Sequence, residues 1–204
     1  MNTAFFIRLL ACAMLQSGCI NTPLPDYYVL TPESMVTAPT ASQRIANEVA
    51  LGIGPVTIPQ TINRPNIVTP LDSNQLDVAE YHRWSEPLVD NISRVVITNI
   101  AGRTGLNKLY AYPWLGNPID YQVRIDVLQM TGRPGEQVRL QVRWQVLTGR
   151  KPAELLVTRI SDYSEIVDAD SYSAMVAMYS RLVANLSKDI AAAISTLQNQ
   201  RVGT

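Results

Sequence analysis

Tyr121-Gln122-Val123-Arg124-Ile125-Asp126-Val127, then Gly132-Arg133-Pro134-Gly135, then Gln137-Val138-Arg139-Leu140-Gln141-Val142-Arg143-Trp144-Gln145-Val146 is the stretch on which the fold turns. Apolar and polar residues alternate strictly on both sides of a Gly/Pro turn. Alternate side chains of a strand point to opposite faces, so this pattern predicts a long antiparallel hairpin, dry on one face and wet on the other. Leu155-Leu156-Val157-Thr158-Arg159-Ile160 adds a third strand.

Working outward, the period changes from two to about 3.6 on either side of the hairpin. After Ser85-Glu86-Pro87, Leu88, Ile92, Val95, Val96 and Ile100 recur at helical spacing. Ser85 is the expected cap, the acid and the proline suit a first turn, and Gly102 is the expected stop. A second helix opens near Asp170-Ser171 and carries Met175, Tyr179, Leu182, Leu186, Ile190 and Leu197 along one stripe. Nearer the amino terminus, Asp26–Leu30, Val49–Val56 and Asn66–Thr69 have strand composition, while Pro32–Asn47 reads as a surface loop. The sum is an α+β, two-layer domain: a mixed, largely antiparallel sheet with two amphipathic helices packed on one face. A chain of 204 residues suits one such core.

The first 25 residues have a different character. Met1–Arg8 holds one positive charge and no acid; a short apolar run, Leu9 to Leu15, ends in Gln16-Ser17-Gly18-Cys19. This order is that of a secretory signal peptide, too short to span a bilayer. Gln16-Ser17-Gly18-Cys19 resembles the lipobox of bacterial lipoproteins, although Leu15 stands one position earlier than the usual leucine. Residues 1–18 are therefore expected to be a signal peptide, 19–25 a lipidated tether and 26–204 a single periplasmic domain. Both cysteines, Cys12 and Cys19, fall in this region, so no disulfide framework is open to the domain. Acylation of Cys19 by more than one chain gives stable anchoring. In the lipoprotein class, aspartate after the cysteine marks inner-membrane retention; Ile20 stands there, which implies the outer membrane.

The chemistry-bearing inventory is thin. Basic and acidic residues are 17 each, which points to no nucleic-acid partner. His82 is the sole histidine and reads as a surface or helix-start residue rather than a general base. No ordered set of metal ligands, no P-loop, no dinucleotide fingerprint and no nucleophile elbow occurs. Neither a cofactor nor a metal is expected. Met175, Met178, Tyr172 and Tyr179 match the helix stripe and read as core. Arg124, Arg139 and Arg143 line the wet face of the hairpin, a solvated surface that is also a candidate partner interface.

Several short words, taken in order, resemble one family. They are the lipobox cysteine, Asp26-Tyr27-Tyr28-Val29-Leu30-Thr31-Pro32, Gly54-Pro55-Val56-Thr57-Ile58-Pro59, Asn63-Arg64-Pro65-Asn66-Ile67-Val68 and Arg83-Trp84-Ser85-Glu86-Pro87-Leu88. Their succession is similar to the ABC-type transport auxiliary lipoproteins, the PqiC/YmbA-like outer-membrane lipoproteins. The resemblance implies a non-catalytic lipoprotein subunit of an MCE-type intermembrane lipid transport system, docking the periplasmic channel at the outer membrane and supporting membrane integrity. It also implies an MCE-domain channel protein as partner, contact with outer-membrane phospholipid through the palmitate-bearing anchor, and a ring of identical copies. Carried over onto this chain, Tyr28 and Leu30 belong to the first strand, Pro59, Arg64 and Pro65 to a turn, and Trp84 and Pro87 to the start of the first helix. Trp84 and Pro65 are expected to serve packing; Arg64 joins the candidate partner interface. Two other readings stay open: a general envelope scaffold lipoprotein without a transport role, and a hydrolase that brings distant carboxylates together.

Overall fold

The computed structural model describes residues 23–33 and 49–202, with side chains to residue 200. The expected signal peptide, Cys12, Cys19 and most of the loop expected over 32–47 lie outside the described residues. The order is β1 (Asp26–Tyr28), β2 (Ala50–Thr57), β3 (Asn66–Pro70), β4 (Leu76–Trp84), α1 (Leu88–Thr104), β5 (Lys108–Ala111), β6 (Tyr121–Gly132), β7 (Gln137–Thr148), β8 (Leu155–Ile166) and α2 (Tyr172–Val202). The fold is mixed α+β, as the patterning predicts. Its strands divide between a five-stranded sheet, β5-β2-β6-β7-β8, and a three-stranded sheet, β1-β4-β3.

The predicted hairpin forms the middle of the large sheet. Ile125 lies opposite Trp144 and Val127 opposite Val142, with β8 continuing the antiparallel meander as far as Ile166. Leu128 is an extra residue in β6, and beyond it the inward set shifts from odd to even numbers, to Met130 and Gly132. Val123, Val138, Val142, Trp144 and Val146 are wholly buried beneath the helices, with Leu182, Leu186 and Ile190 above them. Burying each such side chain favours folding by roughly 1.5–3 kcal/mol, so this continuous layer is the main source of stability. On the other side of β6, β2 and then β5 run parallel to it.

Local signals were less faithful at the ends of α1. The helix does not stop at Gly102; it runs to Thr104, and Gly105 at φ 73° takes the left-handed cap conformation that favours glycine, donating its N–H to the Ala101 carbonyl. Nor does Ser85 cap the start, where Pro87 occupies the cap position without a side-chain hydrogen bond. Met175 and Tyr179 of α2 are buried in the core, whereas Leu197 is only partly covered.

Two ends of the molecule can be told apart. The β6–β7 turn meets the approach to α2 through a hydrogen bond from Gly135 N to Ala169 O, and Tyr172 there stacks on His82 of β4. The three-stranded sheet therefore sits at this end. At the other end, β6 begins, β7 finishes and β8 begins, and the carboxy-terminal turns of α2 come down beside Thr148 and Leu156. A 12-residue strand such as β6 separates the two by about 40 Å.

Candidate partner-binding surfaces

The segment that follows the predicted tether is laid along the two helices. After Tyr28, the chain leaves the sheet and runs between α1 and α2. Leu30 is fully buried there, its N–H donating to Asn91 Oδ1 at 2.7 Å and its carbonyl accepting from Asn91 Nδ2 at 3.2 Å. Thr31 N donates to Ser180 Oγ and Glu33 N to Asn99 Oδ1, while Asn99 is braced in turn by Ser187. The polar residues on otherwise apolar helix faces are thus explained: Asn91, Asn99 and Ser180 satisfy an extended backbone that has no strand to pair with, and Ser187 holds Asn99 in place. An Arg103–Glu33 ion pair closes the segment.

This clamp fixes where the amino terminus emerges. Asp26 lies opposite His82 in the β1–β4 pairing, so residues 23–25 leave the domain at the end holding the small sheet. His82 is not a surface or helix-start residue; it is a half-buried member of β4. Its ring stacks on Tyr172 with centroids 3.9 Å apart, and its Nδ1 shares a 2.8 Å hydrogen bond with the Tyr28 hydroxyl. Burial, and then the nearby Asp26 carboxylate, raise the Tyr28 pKa above its ordinary value. Leu24 and Tyr27 project apolar surface beside this exit, both exposed.

The four arginines singled out in the sequence do not form one cluster. Arg124, Arg139 and Arg143 share the outer face of the large sheet, as the alternation predicts. Arg139 donates from Nε to Asp162 at 2.8 Å and Arg143 is paired with Asp126 at 3.3 Å, leaving Arg124 exposed without an ion pair among the described residues. The Arg139 hydrogen bond holds the Asp162 carboxyl below its usual pKa. One member of the expected wet row is dry: Gln122 is buried and donates to the Gly54 carbonyl at 3.0 Å, because the β5–β6 loop covers this part of the sheet. Arg64 stands apart, exposed beside a cleft of about 430 Å³. Asn63, Pro65, Trp84, Ser85, Pro87 and Leu88 line the same cleft, so two separate words of the sequence meet there. Trp84 is buried against the start of α1, as expected for a packing residue.

A further surface carried no periodic signal. The β5–β6 loop presents Tyr112, Trp114 and Leu115, of which Leu115 is 89% exposed and lies at φ 43°, a region leucine seldom occupies. Its signal in sequence was compositional only, in the apolar run Tyr112-Pro113-Trp114-Leu115 ahead of Gly116. No group of His, Cys, Asp and Glu suited to a metal ion occurs among the described residues, nor does any described helix have the length and apolarity to cross a membrane.

The sequence profile described as "ABC-type transport auxiliary lipoprotein component" matches residues 28–191. The chain belongs to this family. That match covers the helix clamp, β2 to β8, α1 and most of α2. Two crystal structures share the fold seen here. Protein XCC0632 from Xanthomonas campestris, of family DUF330, superposes with a TM-score of 0.69 at 14% identity over 86% of this chain and 99% of its own. An uncharacterised protein superposes with a TM-score of 0.64 at 20% identity, covering 84% of this chain and 99% of its own. No curated protein matches the chain.

Proposed function

We propose that this auxiliary component is a non-catalytic lipoprotein subunit, anchored in the outer membrane through Cys19, that docks the periplasmic channel of an MCE-type transport system moving phospholipid between membranes. The observation that carries the reading is the family match over residues 28–191. The clamp supports it mechanically. By seating Leu30 to Glu33 between the helices, the fold turns a tether of a few residues into a fixed attachment, and about six residues reach only about 20 Å. The domain then stands close to its bilayer with Leu24 and Tyr27 turned toward the headgroups, where apolar and aromatic side chains are well placed. Arg64 and Arg124, which have no ion pair among the described residues, supply charge to a partner or a neighbouring copy.

Two measurements test this. Labelled palmitate should be incorporated by the wild type and lost in Cys19→Ala, with the mutant leaving the outer-membrane fraction; label retained by the mutant would rule Cys19 out as the anchor. The MCE-domain protein of the same bacterium should co-purify with the wild type. A chain that binds no such protein and fractionates away from the outer membrane would refute the reading.

A further inference from the structure

We infer that the β5–β6 loop, with Leu115 at its tip, is a preformed docking knob that seats in an apolar pocket with an acidic rim on the channel protein. This identification of the partner rests on the function proposed above; the knob itself is argued from geometry.

Exposure alone would make Leu115 one apolar residue among several on the surface. What distinguishes it is the rigidity of its support. Trp114 and Ile119 fold down on Gly52 of β2, where even a Cβ atom would stand 2.9 Å from each side chain. Tyr112 packs edge-on against Trp114 with centroids 5.3 Å apart, and its Cβ would be 2.6 Å from a Cβ at Gly54. The Trp114 carbonyl accepts from both the backbone N–H and the side-chain amide of Asn117, and Tyr112 N donates to the Ile53 carbonyl. The Asp120 carboxylate accepts from Ala50 N, and its carbonyl accepts from Gly149 N. Every flank of the loop is therefore tied to the sheet or packed on it, and the aromatic residues next to the tip are spent on that support. Leu115 is left outermost, in a left-handed conformation that a leucine has no intrinsic reason to adopt. A rigid apolar side chain held ready by aromatic residues packed on the sheet is the form of an interface anchor, because little ordering cost remains to be met on binding.

Position and charge choose the occupant. The loop stands at the start of β6, about 40 Å along the strand from the end where residues 23–25 emerge. A domain held at its own bilayer by those residues presents Leu115 away from that bilayer. Beside the loop, the β7–β8 connection carries Arg150 and Lys151, both exposed and neither in an ion pair among the described residues. A protein pocket rimmed by carboxylates complements both features; like charges would suppress other partners.

The test uses the full-length lipidated protein and the MCE-domain protein of the same bacterium. Affinity is measured for wild type, Leu115→Asp, Leu115→Gly and, as an exposed apolar control in the β3–β4 turn, Leu71→Asp. Leu115→Gly suits the left-handed backbone, so its loss of binding cannot come from misfolding. Affinity is expected to fall at least tenfold in both Leu115 variants, with Leu71→Asp unchanged and melting temperatures within error of wild type. Wild-type binding that both Leu115 variants retain overturns the knob while leaving the proposed function intact. Absence of wild-type binding overturns both. Binding of the unlipidated domain to vesicles of phosphatidylglycerol that is lost in Leu115→Asp, with partner affinity unchanged, overturns the protein pocket in favour of a second membrane.

Discussion

The two sheets of this auxiliary component are held by different means. The large sheet rests on area: an unbroken layer from Val123 to Trp144 and Val146 lies beneath α1 and α2, wholly buried. The small sheet rests in part on points. Ile67 and Trp84 join it to the same core, but Leu76 and Val78 are exposed, and its β1 edge is attached through the Tyr28–His82–Tyr172 contacts and the Leu30–Asn91 hydrogen bonds. Area is lost gradually, whereas point attachments fail one at a time. The part held by points is the one next to the proposed tether, so with the proposed anchor the orientation of the domain would depend on a few polar groups.

Substitutions separate the two modes. Trp144→Ala removes a fully buried indole and its Nε1 hydrogen bond to Ser161; the expected loss is about 3–5 kcal/mol, read by denaturant unfolding, with the whole domain unfolding at lower denaturant. Asn91→Ala leaves the buried Leu30 N–H and carbonyl without partners. About 1–3 kcal/mol of destabilisation is expected, together with faster amide exchange at Leu30 than at Val142, which would show that the clamp opens before the large sheet. For His82→Ala, which removes a stacked ring and one hydrogen bond, the expected cost is about 1 kcal/mol, again read as local exchange in β1.

The smallest effect belongs to the outer face of the large sheet. Asp162 has a folded pKa below its unfolded value because Arg139 hydrogen-bonds to it. Its contribution is therefore present above the ordinary carboxylate pKa of about 3.9 and is lost as pH falls through the lower folded value. Asp162→Asn should melt slightly below wild type at pH 7 and converge with it in acid. A difference that persisted at low pH would mean that the pair acts through packing and not through charge.

The same contrast explains how much could be read from the sequence. Strands buried on one face write that face into every second residue, so β6, β7 and the fold class were legible, as were α1 and the Met175–Ile190 stripe. β4 was missed because Leu76, Val78 and Glu80 face solvent and the strand has no clean alternation. β5 has four residues and none buried. The wet row was correctly placed except at Gln122, whose burial depends on a loop contributed from elsewhere in the chain. Of the candidate site, Arg124, Arg139 and Arg143 share a face because strand alternation puts them there, while Arg64 lies in a separate cleft formed only when the β2–β3 turn meets the start of α1. Leu115 had no local rule to announce it: its exposure and its support by Gly52 and Gly54 exist only in three dimensions.

In the proposed arrangement the tether end faces the bilayer and the Leu115 end stands away from it. With Cys19 acylated, a cysteine introduced as Leu115→Cys is the only free thiol of the processed protein, since Cys12 lies within the proposed signal peptide. Energy transfer from a dye on that thiol to acceptors in the bilayer, compared with the same dye on Tyr27→Cys, measures the orientation. Weak transfer is expected at 115, corresponding to a separation of about 40 Å or more, and strong transfer at 27; equal transfer at the two positions, or stronger transfer at 115, would overturn this arrangement.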